Sequence, residues 1–547
     1  MVTGPDKASE LRGSPREGAS SSGARGSGVL RAVLLAVLAV AVGYFVVDKG
    51  WLSRPPAVQA PAAAGVATGT ATHAAHGAAT AAPQPAIDAR SVAVLRFVNV
   101  SADREQEYFS DGVSEDLCEL LGQVPGLHVP ASNSSFYFSG RQAAIADIAR
   151  RLAVSHVLEG SVNRSGTALR VTAQLTRADS GEQLWSKTYD RDVRDVFKVE
   201  DEIASAVAEA LKTKPVPPRL ASNPRRNGNV DAYDQYLRGN SFQARGKRDG
   251  WRLAVAAYRK AIETDPNYAA AYAGLALAEN SMADEAGDYD GNRRAVAAAE
   301  RAVALGPGLV DGYAVRGYLR YTYAWDWAGA QADFEKALKL DPDDPVALRR
   351  YAGLLDSLGR LPESLAIIRK LIEEDPLFGA AWMNLGLTLY SAGQVPEARL
   401  ALDRALEISP DSIYGQYHRG FVELLAGQPQ KALGLFRQVG DPVFVLTGVA
   451  MAEHTLGQAT ESQQALGELV RTHARTSAFQ IAEVYAWRGE KDPAFVWLER
   501  AYRQRDGGLN LVKTDPALAA LHRDPRFGAL LRKLKLPQRD ASRSVTP

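Results

Sequence analysis

The chain has 547 residues, and 64 Lys and Arg against 63 Asp and Glu leave a net charge of +1. That balance argues against a general polyanion binder, whose domains carry a clear basic excess. The single cysteine, Cys118, excludes an intrachain disulfide and any cysteine-built zinc or iron–sulfur centre, and no HExxH or GxxxxGK[ST] motif occurs.

Residues 1–28 are rich in Gly, Ser, Arg and Ala and read as a disordered cytoplasmic stub. Val29–Val47, VLRAVLLAVLAVAVGYFVV, follows, with 16 uncharged residues between Arg31 and Asp48. About 20 apolar residues cross a bilayer core. Lys7, Arg12, Arg16, Arg25 and Arg31 precede or open this span, and only Lys49 and Arg54 follow it before Arg90. The asymmetry predicts one transmembrane helix, with the N-terminus inside and the bulk of the chain in the periplasm. A buried core helix and a cleaved signal peptide are the alternatives for this span. Residues 48–90 form an Ala/Pro-rich linker, uncharged over 55–87. Its His73 and His76 make a poor metal site on such a chain.

Residues 91–214 predict a small α/β domain of order β-α-β-α-β-β-β-α. Ser91–Phe97 is a short apolar run of the buried-strand type, and Leu127–Ala131 reads as a second strand. Val113, Leu117, Leu120 and Leu121 form a helix face, as do Ile145, Ile148, Ala149 and Leu152. Leu169, Val171, Ala173 and Leu175 alternate with polar residues, the period of a half-exposed strand. The acidic cluster of Asp103, Glu105, Glu107, Asp111, Glu115 and Asp116 suits a helix start, with a ligand site as the alternative. Cys118 reads as a small apolar residue of the same helix.

Four segments carry a resemblance: SVAVLRFVNVSADREQEYFSDGVSEDL, NSSFYFSG, SHVLEGSVNRSG and RADSGEQLW (Arg177–Trp185). Together they resemble the TolB-like amino-terminal domain over nearly all of 91–212. The resemblance implies an α/β fold and a company of tetratricopeptide repeats, in bacterial membrane proteins, CadC-like transmembrane regulators and proteins with adenylate cyclase domains. The 28 residues before the apolar span are too few for the regulators' winged helix, and no cyclase domain is legible, so the resemblance does not extend to DNA binding or catalysis.

After a linker over 215–230, Pro266, Pro307, Pro342, Pro376, Pro410 and Pro442 punctuate the chain at intervals of 41, 35, 34, 34 and 32. A period of about 34 is the tetratricopeptide signature of helix–turn–helix units. In the clearest copy, Trp382, Leu385, Gly386 and Leu389 mark the first helix, and Ala398, Leu402 and Ala405 the second. The extra residues of the longest interval fall in Ala283–Asn292, expected as a loop. The spacing predicts an all-α superhelix of about eight hairpins over 231–505, with capping helices and a tail over 506–547.

No catalytic constellation is legible, and neither an enzyme activity nor a cofactor is expected. A solenoid binds through its concave face, which the first helices line. Stepping one to three positions from the packing residues nominates Tyr318, Arg349, Asp356, Tyr390, Tyr414, Tyr417 and Phe421 for a peptide groove, with inter-repeat core as the alternative role for each aromatic. The expectation is a membrane-tethered periplasmic scaffold that binds a protein or peptide and no nucleic acid. The alternative is a relay component of a transmembrane regulatory system without its own DNA-binding domain.

Overall fold

The computed structural model describes residues 88–139, 143–215, 226 and 228–537. The cytoplasmic stub, the span Val29–Val47, most of the first linker and the end of the tail lie outside the described residues. Among the described residues no helix is long and apolar enough to cross a membrane. The single-pass inner-membrane placement is corrected on that finding.

In the α/β domain, β1 (Asp88–Val94) and β2 (Val98–Asn99) both pair parallel with β3 (Val154–Ser165). An antiparallel meander continues through β4 (Ala168–Arg177) and β5 (Gln183–Asp192). The helices are α1 (Glu107–Gly122), α2 (Ser132–Phe136), α3 (Ile145–Leu152) and α4 (Val196–Ala210). Leu169, Val171, Ala173 and Leu175 share one core with Leu117 and Leu120 of α1 and Ile203 and Val207 of α4. Ala93, Val154 and Val157 pack in a second cluster with Ile148 and Leu152 of α3. The strand expected over Leu127–Ala131 is reduced to a bridge between Ser91 and His128. Pro130 has no N–H to extend that ladder.

Residues 230–504 form sixteen helices in eight hairpins. They are α5 (Val230–Ala244) with α6 (Lys247–Thr264), α7 (Ala269–Ala286) with α8 (Tyr289–Leu305), α9 (Val310–Leu319) with α10 (Trp327–Leu340), and α11 (Pro345–Leu358) with α12 (Leu361–Glu374). Then come α13 (Gly379–Ser391) with α14 (Val395–Ile408), α15 (Ile413–Leu425) with α16 (Pro429–Phe436), α17 (Pro442–Thr455) with α18 (Ala459–His473), and α19 (Ala478–Trp487) with α20 (Lys491–Gln504). The small residue of each first helix admits the large residue of the second. A Cβ built on Gly386 would stand 2.5 Å from Leu402. The ring of Phe436 is wedged between Gly420 of its own hairpin and Gly448 of the next. Each hairpin therefore cannot bury its face alone, and the stack is the fold. The extra residues at Ala283–Asn292 do not form a loop. They lengthen α7 and α8 to 18 and 17 residues, joined at Gly287 with φ +62°.

The α/β domain is fixed to the first hairpin. Tyr108 donates to Asp234 at 2.7 Å, Tyr233 donates to Asp116 at 2.6 Å, and Arg164 also pairs with Asp234. Arg226 donates to buried Glu200 and to Asp201, both at 2.6 Å. Leu377, at the turn between α12 and α13, joins the core of α3, so the domain also touches the middle of the array. The acidic cluster is accounted for locally: Asp103 accepts from the Glu105 amide at 2.9 Å, Asp111 pairs with Arg96 at 3.2 Å, and Asp116 holds Tyr233.

Candidate functional site: the inner face and its C-terminal strap

First helices of successive hairpins touch one another directly, whereas second helices are more widely spaced. The first helices therefore line the inside of the curve. The curve closes within one chain. Helix α9 continues into a wide π turn, Arg320–Ala324, and ends at Trp325 with φ +52°. The Trp325 ring stacks on Tyr502 of α20 with centroids 4.9 Å apart, and Arg505 covers it at 4.0 Å. The eighth hairpin thus meets the third. A π turn re-aims the residues that follow it, and here it sets Tyr321 and Trp325 into one cluster with the C-terminal segment.

That segment does not simply cap the end of the array. After α20 the chain turns back as two short 3₁₀ turns, Gly507–Leu511 and Pro516–Leu521, before α21 (Pro525–Lys533) packs beside α20. Leu509, Val512, Leu518 and Leu521 are fully buried against Tyr321, Trp325, Leu354, Phe479 and Ala482. Asp506 accepts from the amides of Phe479 at 2.9 Å and Gly508 at 3.0 Å. Lys513 donates to the Leu358 carbonyl at 2.7 Å. Asp515 accepts from the Ala517 amide at 2.8 Å and from the Tyr390 hydroxyl at 3.4 Å. Residues 506–521 form a strap over first helices from the third, fourth, fifth and eighth hairpins.

The seven nominated residues divide accordingly. Asp356, Tyr390, Tyr417 and Phe421 are buried. Tyr390 lies under the strap. Tyr417 and Phe421 pack edge to face at 4.7 Å, and Tyr417 also meets Phe444 of the next hairpin at 4.3 Å, so these two are inter-repeat core. Asp356 accepts from Thr388 at 2.8 Å, and burial pushes its carboxyl up to about 7. The other three are accessible. Tyr318 and Arg349 are half-buried, and Tyr414 is 56% exposed. Tyr414 lies close enough to Tyr318, Asp284 and Asp506 for their charges to act on its hydroxyl, which brings the sixth hairpin across to the third. Burial and the neighbouring Arg350 bring the Arg349 guanidinium down to about 10, and Tyr318 and Tyr321 are the other groups acting on it. Arg350 itself covers the Tyr318 ring at 5.5 Å. The seven do not form one continuous surface: three line an open half of the inner face, and four belong to a sealed half.

Sequence reasoning missed Tyr321, Arg350, Glu483 and Asp515. Glu483 had a signal, because it interrupts the otherwise apolar helix AFQIAEVYAW. Asp515-Pro516 had the form of a helix start. Arg350 had none, since a charged residue beside Arg349 reads equally as solvated surface. Among the described residues no group of His, Cys, Asp and Glu could hold a metal ion.

Residues 324–378 and 365–413 each match a family model described as tetratricopeptide repeat. The chain is 38% identical over 202 residues to a protein of Rhizobium meliloti named putative adenylate cyclase 3, covering 36% of this chain and 34% of that protein. It is 29% identical over 89 residues to the small glutamine-rich tetratricopeptide repeat-containing protein 2 of Mycosarcoma maydis, 16% of this chain and 25% of that one. The chain thus spans at most about a third of these relatives' length. Among solved structures, PilW, described as a widely conserved type IV pilus biogenesis factor, is 24% identical, with 36% of this chain and 93% of that one covered at a TM-score of 0.31. The chain carries tetratricopeptide repeats on a small α/β domain.

Proposed function

We propose that the protein is an interaction scaffold that holds an extended protein segment on the open half of its inner face, with the α/β domain, of TolB-like type, as a fixed head on the first hairpin. The observation that carries this is Arg349: a half-buried guanidinium whose neighbours are two tyrosines and a second arginine. A ligand carboxylate there would gain a charge-assisted pair, and Tyr318 and Tyr414 would flank its apolar side chains. Tetratricopeptide folds commonly bind protein or peptide partners in this way. A relay role in a signalling protein is the second reading, supported by the relative named as a putative adenylate cyclase.

The test is a selection of displayed peptides on immobilised protein, followed by affinity measurement of the best binders. Arg349→Ala with Tyr414→Ala is expected to lose more than about 2 kcal/mol of binding, the size of a hot-spot contribution. Binders with unchanged affinity for that variant would overturn the assignment of the open half and move it to the α/β domain or the outer face.

A further inference from the structure

The strap is held by a pair of acids. Glu483 of α19 and Asp515 of the strap are both buried, with their side chains hydrogen-bonded to each other. Two carboxylates cannot donate to each other, so one carboxyl carries the proton and the other accepts it. Asp515 already accepts from the Ala517 amide and the Tyr390 hydroxyl, the environment of an ionised carboxylate. Glu483 has one oxygen with no hydrogen-bond partner and is the protonated member. Burial and the Asp515 charge raise its carboxyl well above the ordinary range.

The groups facing the pair come from every element around it. Tyr390 projects from α13, and Tyr417 and His418 from α15. Burial keeps His418 neutral down to about pH 4. The strap adds Asp506, whose own carboxyl burial pushes up to about 6, and Lys513, whose ammonium is engaged with the Leu358 carbonyl. Ionising Glu483 would therefore place a second negative charge beside Asp515 in a buried position, where it is costly. The side chains that hold the strap from the inner face at this point are Glu483 and Tyr390.

We propose that residues 506–521 are a latch over the sealed half of the inner face, and that the proton shared by Glu483 and Asp515 holds the latch shut. Opening it would return Glu483 to water and release that proton. The closed state is thus favoured at low pH and weakens as pH rises, and release would uncover Tyr390, a tyrosine of the first-helix face beside the open half. The latch regulates how much inner face a partner meets, and it does not depend on which segment the open half binds.

Hydrogen exchange of the full chain tests the proposal. Between about pH 7 and 8.5, above the titration of Asp506, opening coupled to one proton changes the equilibrium about tenfold per pH unit. After correction for intrinsic exchange, amides of residues 507–521 in the wild type should lose protection by that factor. Glu483→Gln keeps a donor for Asp515 and cannot ionise, so its protection should persist with no pH slope. Helix α14, Val395–Ile408, is the control and should show no slope in either protein. A flat wild-type profile, or equal slopes in wild type and variant, overturns the proposal. Should Glu483→Gln fold poorly, the double variant Glu483→Gln/Asp515→Asn restores a neutral hydrogen-bonded pair, and a persisting slope there overturns it equally.

Discussion

Two halves of one inner face, built from the same positions of the same repeat, have opposite fates. Arg349 and Asp356 stand two turns apart on α11; the first is accessible, and the second is buried with a strongly raised carboxyl. Tyr414 and Tyr417 stand one turn apart on α15; the first is 56% exposed and the second is 3% exposed. The repeat frame alone does not separate them. What separates them is packing from elsewhere: the next hairpin through Phe444, and the strap, which arrives from more than a hundred residues downstream of Tyr390. A position that faces the groove in one repeat becomes core where the superhelix closes on itself.

The largest way to break that division is to remove strap packing. Leu518 is fully buried, and Leu518→Ala is expected to cost about 2–5 kcal/mol in chemical denaturation. A loss within experimental error would show the strap to be a loose appendage. Next is Gly386→Leu, which forces a side chain into the Leu402 contact and should cost about 1–3 kcal/mol by thermal melting. An unchanged melt would contradict the tight crossing.

The pH dependence sharpens the comparison further. The folded-state pKa of Asp356, about 7, lies above the ordinary carboxylate value of 3.8. For a raised acid, the stability it lends is complete below the unfolded value and is lost as pH rises toward the folded one. Asp356→Asn should therefore gain stability relative to wild type between about pH 4 and 7 and hold a constant difference above that. A difference that does not change with pH would place Asp356 in a wetter site than the fold indicates. His418 works in the opposite direction, because burial lowers it to about 4 and its contribution is lost as pH falls from 6.5. The smallest effect belongs to the open half: Arg349→Ala should change stability by no more than about 0.5 kcal/mol, as expected of a side chain with no structural partner. A loss of several times that would make Arg349 part of the core.

Much of the fold was legible. The near-constant proline interval and the Ala-x3-large-x2-Ala frame located the hairpins, because each hairpin's contacts lie within itself and its neighbours. The period-two alternation of Leu169–Leu175 located a strand for the same local reason. The expected loop at Ala283–Asn292 went wrong because Gly287 and Asp288 supply a tight αL turn, so the spare residues could extend both helices. The strand at Leu127–Ala131 went wrong because a bridge of one residue pair leaves the same apolar signature as a strand. The division of the inner face was not legible, since burial of Tyr390 depends on Asp515 and Ala517, and no periodicity links residues so far apart. The wide turn at Arg320–Ala324, which re-aims Tyr321 and Trp325, breaks the 3.6-residue period on which sequence reading rests.

The most direct test of the divided inner face is thiol labelling. Cys118 is buried and its thiol is pushed up to about 12, so the native chain offers a silent background. Single Tyr414→Cys and Tyr390→Cys variants then report the two halves separately. At neutral pH the first should label at the rate of an accessible thiol and the second at least about a hundredfold more slowly, since a protected site reacts only through local opening. Equal labelling rates at the two positions, with both variants folded by circular dichroism, would contradict the sealed half and the strap that closes it.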